Sequence, residues 1–113
     1  LPVADPVYNQ ILPASDDPSA MELWREMGCT ERELQYWLPT ALGRFEYVPS
    51  PGLVDIALPP GRVLLRYTTL EPRRIALISI ARLQIVFRFE QLDRAAVDGF
   101  LRHFDLYTRR GGG

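Results

Sequence analysis

The chain has 113 residues, 47% of them hydrophobic and 24% charged, and carries a formal net charge of −1. These values suit one globular domain with its own core and exclude a mostly disordered polypeptide. No run approaches the roughly 18 apolar residues of a membrane helix, and the opening LPVADPVYNQ lacks the basic start and apolar run of a signal peptide.

The single cysteine, Cys29, excludes an internal disulfide and suits a reducing, cytoplasmic compartment. All thirteen basic residues are arginine, and their placement is uneven. Residues 1–61 hold three arginines against nine carboxylates, a net −6, whereas residues 62–113 hold ten against five, a net +5. Arginine presents a rigid donor fork that matches carboxylates and phosphates, so this asymmetry points to an anion-holding surface or an interface. Exclusive use of arginine is equally what a GC-rich genome would produce.

Asp5-Pro6 is a helix-start signal, and Val7, Tyr8, Ile11 and Leu12 could form a short helical face before Pro13. Asp17-Pro18 repeats the signal: Ala20, Leu23, Trp24 and Met27 recur at helical spacing, and Gly28 supplies a stop. Thr30 and Glu33 form a capping box, which predicts a second helix carrying Leu34, Trp37 and Leu38. Pro39 should end or kink that helix at Leu38, with Gly43 closing the segment.

From residue 45 the period becomes two. Proline and glycine clusters divide the stretch into strands at Leu53–Leu58, Arg62–Thr69 and Arg73–Glu90, with Phe45–Val48 a short extra one. In the last run Ile75, Leu77, Ala81, Leu83, Ile85, Phe87 and Phe89 share one face; Arg74, Arg82, Gln84, Arg88 and Glu90 share the other. Its length implies one bent strand or a hairpin turning near Ser79–Arg82. Asp93 caps a final helix whose apolar side is Ala96, Val97, Phe100, Leu101, Phe104 and Tyr107, and that side should cover the odd-numbered sheet face.

The predicted molecule is therefore a single α+β domain over residues 1–113. Residues 1–43 form a helical segment, 45–90 a three- to four-stranded, mainly antiparallel sheet, 93–108 the helix covering one sheet face, and 109–113 a flexible tail.

Strand parity gathers Arg62, Arg66, Arg82, Gln84 and Arg88 on one sheet face, which makes them the candidate binding residues. Arg66, Arg82 and Arg88 should face outward there, because the carboxylates assigned to the sheet are fewer than its arginines. Stacking aromatics are absent from that parity, which argues against a single-stranded nucleic-acid platform.

The spacing from Leu23 to Trp37 resembles a helix-turn-helix around Gly28, but Glu31 and Glu33 open the would-be recognition helix and oppose phosphate contact. The tail Arg109-Arg110-Gly111-Gly112-Gly113 resembles the end of ubiquitin-like modifiers. Their β-grasp fold sets its helix between strand pairs, whereas this chain ends on its helix.

No catalytic constellation, metal-ligand spacing or cofactor motif is present, and His103 is the lone histidine. The leading expectation is a non-catalytic protein that binds a protein partner and forms a homo-oligomer. An anionic-ligand or nucleic-acid binder, and an enzyme with a site where helix and sheet meet around His103, are the alternatives.

Overall fold

Leu83, Ile85, Phe87 and Phe89 are completely buried, so the odd-numbered side of that run faces the core as its alternation requires. The structure is a computed structural model that describes residues 11–108. Its elements are β1 (Leu12–Pro13), β2 (Ala20–Met27), α1 (Glu31–Leu42), β3 (Glu46–Ser50), β4 (Leu53–Leu58), β5 (Gly61–Ile75), β6 (Ile78–Glu90) and α2 (Arg94–Thr108).

The strands form one six-stranded antiparallel sheet in the order β1-β2-β6-β5-β4-β3. Both helices cover the same sheet face. Leu34, Leu38 and Leu42 of α1 join Val97, Phe100, Leu101 and Phe104 of α2 in a core with Leu23, Val54, Ile56, Val63 and Leu65. Phe104 meets Phe87 edge-on at 5.2 Å between ring centroids, an arrangement that adds to the area these rings bury.

The expected α+β class stands, but the helical hairpin at the N-terminus does not, because residues 20–27 are the strand β2; with β1 and β2 added, the sheet has six strands rather than the three or four expected. The segment fits both periods. Its core side is Met21, Leu23, Arg25 and Met27, and a cation in third place breaks the alternation that would mark a strand. Eight paired residues on β6, from Ala20 opposite Glu90 to Met27 opposite Leu83, decide the outcome against local propensity. The helix-turn-helix resemblance falls with that helix. The early helix at Asp5 and the glycine tail lie outside the described residues, apart from Ile11 and Leu12 at the former's end; Leu12 is in β1.

Helix α1 begins where its capping box places it: Glu33 N donates to Thr30 Oγ1 at 3.1 Å, and Thr30 N donates to Glu33 Oε1 at 2.9 Å. It continues past Pro39 to Leu42 before ending at Gly43, because burial of Leu38, Ala41 and Leu42 outweighs the one donor that proline lacks. In α2 the apolar side is as expected except at Tyr107, which is exposed. Thr108 is buried in that last turn, its hydroxyl donating to Phe104 O at 2.9 Å.

The 73–90 run resolves into a hairpin that turns at Ala76-Leu77, earlier than expected, and Arg73–Ile75 belong to β5. A register shift between Leu70 and Arg73 inserts one extra residue into β5, after which the two strands leave the body as a ribbon. Every residue from Glu71 to Ile80 is exposed, including Ile75 and Leu77, which were expected on the core face. The sheet's edges are β1, which is two residues long and contains Pro13, and β3, which contains Pro49.

Candidate interaction surface

Among the described residues, the sheet has one face under the helices and one face bare. Strand pairing sets the bare face out in rows. Trp24 of β2, Val86 of β6, Arg66 of β5 and Leu53 of β4 stand side by side, and the next row runs Glu22, Arg88, Leu64, Asp55 and Val48. Trp24 is 56% exposed, with its indole N–H donating to Glu22 Oε1 at 3.2 Å. This aromatic escaped the sequence reading because a helical assignment for β2 removed it from the sheet; read as a strand, residues 20–27 put Trp24 on the bare face by parity.

All five candidate residues Arg62, Arg66, Arg82, Gln84 and Arg88 share the bare face, but they differ in what they touch. Arg88 lies inside a ring of carboxylates, with Asp16 at 2.9 Å, Glu90 at 2.8 Å and Glu22 at 3.4 Å, and its side chain is only 14% exposed. The hydrogen bonds Arg88 donates to Asp16 and Glu90 hold its pKa above the ordinary arginine value, and the same bond holds the Asp16 carboxyl below the usual carboxylate range. Arg88 thus lies on the outward face as expected, but its carboxylate partners cover most of it. The carboxylates that surround it come largely from the β1–β2 loop and β2, a segment the sequence reading had withdrawn from the sheet.

Arg82 grips Glu26 with two nitrogens, at 2.8 Å and 3.0 Å, and donates from the third to Glu71 O at 3.0 Å. That contact lowers the Glu26 pKa and raises that of Arg82. It also ties the root of the ribbon to β2, a fastening to which Arg73 adds at 3.9 Å from Glu26. Arg62 meets Glu90 at 3.0 Å and Asp55 at 3.8 Å. Gln84 stands between Glu26 and Thr68. Arg66 is exposed and has no ion pair among the described residues; its neighbours across the strands are Val86 and Leu53. A cation already held by carboxylates has little field left for an external anion, so the face offers an apolar row bordered by neutralised charge.

The ribbon continues this face. Arg73 pairs with Ile80 and Ile75 with Ile78, and the contact of Arg73 with Glu26 puts this set on the bare side, in line with Arg82. Ile78 is 61% exposed and Ile75 54%.

Elsewhere, a hollow of about 430 Å³ lies on the helix side, lined by Glu31, Gln35, Leu38, Tyr47, Pro49 and Tyr67. Its polar groups are engaged with one another: Gln35 donates to Tyr67 Oη at 3.2 Å, and Thr69 donates to Glu31 at 2.7 Å. His103 is half-buried against Tyr107 and Phe45, with ring centroids 4.9 Å and 5.9 Å away. Cys29 is buried in the core. No three His, Cys, Asp or Glu among the described residues gather as a metal site, and no helix there is long and apolar enough to cross a membrane. No family model, curated protein or solved structure matches the chain.

Proposed function

We propose that this is a non-catalytic interaction protein that holds a protein partner against its bare sheet face and self-associates through it. One observation carries the reading: among the described residues no helix covers this sheet face, and exposed Trp24 and half-buried Val86, Leu64 and Leu53 are grouped on it with most of its charge already neutralised. An apolar centre with aromatic and arginine residues and a polar rim is the composition of protein interfaces. The paired arginines weigh against an anionic ligand as the main occupant.

Light scattering across a concentration range tests the reading with Val86→Glu, which sets a charge in the middle of the row. The parent should associate, and in a Trp37→Phe background its remaining Trp24 emission should shift to shorter wavelength as it does so. Association should persist as salt rises, since the contact is mainly apolar. Val86→Glu should stay folded and monomeric; a folded Val86→Glu protein that associates like the parent would sink the reading.

A further inference from the structure

We propose that the ribbon of one molecule, the β5–β6 arm from Glu71 to Ile80, lies across the bare sheet face of a second copy, each arm covering the other's sheet. This rests on the bare face being the interaction surface and adds what occupies it.

The arm calls for a cover. A two-stranded ribbon is marginally stable alone in water, yet this one leaves the body with Ile75, Ile78, Ile80 and Leu77 all exposed. Its apolar side is continuous with the bare face, so whatever lies on one lies beside the other.

A second copy can meet both needs at once in one register. A two-fold axis crossing the strands at Arg82 sets each β6 position the same number of residues before Arg82 over the position that number after it. Ile80 falls over Gln84, and Ile78 falls over Val86. On the neighbouring strand Ile75, level with Ile78, falls over Arg66, level with Val86. The arm tip thus lands on the apolar row, between Trp24 on one side and Leu53 on the other.

At the axis Arg82 of one copy meets Arg82 of the other, each keeping its own Glu26 at 2.8 Å, so the two guanidinium groups meet as neutralised pairs. The receiving row of Trp24, Val86, Arg66 and Leu53 holds no carboxylate to be stranded, and the Arg66 stem can pack beneath Ile75 while its guanidinium reaches water. The only cation on the apolar side of the arm, Arg73, keeps Glu26 beside it. Two such contacts form a strip roughly 33 Å long and about 10 Å wide on each copy, about 660 Å² in all and below the roughly 1,000 Å² of a stable interface, so a weak dimer populated only at high concentration is expected. A two-fold pair is also the commonest form of self-association, and it requires this kind of reciprocal contact.

The test compares Ile78→Glu with Val86→Glu by sedimentation, and adds an Ile78→Cys, Val86→Cys double variant oxidised under mild conditions. Ile78 and Val86 of one chain lie about 26 Å apart along β6 and cannot bridge to each other, so any disulfide between them joins two molecules. The expected result is a dimer weakened at least tenfold by either glutamate, and a covalent dimer from the double variant that neither single cysteine yields. Association lost in Val86→Glu but kept in Ile78→Glu would overturn the arm as occupant while leaving the face as the contact. Association kept in both would overturn the two readings together. A parent that stays monomeric at every concentration, with no cross-link from the double variant, would overturn the arm contact outright.

Discussion

Arg25 occupies the core side of β2, where its guanidinium lies over Phe87 at 5.1 Å and Phe104 at 5.9 Å and forks onto Asp105 of α2. Both side chains are largely covered, at 14% and 22% exposure, and Arg25 Nε has no acceptor. A cation so placed is tolerated only while its partner remains. Asp105→Asn should therefore lower stability by about 1–3 kcal/mol, because it strands the charge. Arg25→Met should cost clearly less, since it keeps apolar stem packing and removes the desolvated nitrogens. Denaturant titration of the two variants decides, and an equal loss in both would contradict this account. The same residue explains why β2 was illegible: an arginine in a core position destroys the period-two signal, and only the three-dimensional contact with Asp105 accounts for its presence there.

At the scale of elements, β4 and the parts of β5 and β6 in the body of the sheet were legible because their alternation is clean, whereas Glu71-Pro72, read as a strand end, lies inside β5. Leu53–Leu58 coincides with β4, and the Asp93 start of α2 is confirmed by Ala96 N donating to Asp93 Oδ1 at 2.8 Å. The arm was not legible, since Ile75 and Leu77 share the core parity in a linear reading and no glycine or asparagine marks the turn. Ala76 makes that turn with φ of 53°, a left-handed conformation that costs an L-residue roughly 1–2 kcal/mol. Ala76→Gly should relieve part of this, slowing amide exchange at Ile78 by about fivefold, the equivalent of 1 kcal/mol. Exchange at Ile78 that is unchanged or faster would show that the turn is not what limits the arm.

For the whole molecule, the division between an acidic first half and a basic second half becomes a pattern of internal pairing. Glu26 with Arg82, Asp16 and Glu22 with Arg88, and Asp55 with Arg62 each join the two halves across the sheet. The asymmetry was visible in the sequence; its resolution was not, because the pairing needs the position of β2 beside β6. It also explains why only part of the candidate site was foreseen: parity gathered the five residues, but their carboxylate neighbours were assigned elsewhere. Asp16, Asp17 and Glu26 have pKa values lowered in the folded state, Asp16 and Glu26 chiefly by the arginine bonds and Asp17 by Ser19. The unfolded chain then binds more protons, so this contribution is present above the unfolded carboxylate values and is lost as pH falls through the lower folded ones. The melting midpoint should hold near neutrality and drop below about pH 4. A midpoint as high at pH 3 as at pH 7 would contradict this role.

The two outer strands carry a consequence for how far assembly can proceed. A two-residue β1 with Pro13 and a β3 interrupted by Pro49 offer an incoming strand few consecutive backbone groups on either side. Growth by adding sheet to sheet is thereby discouraged, and a reciprocal pair that uses up both arms leaves no vacant end. In the proposed pair the chain would display long apolar strands and still close on itself rather than build a filament.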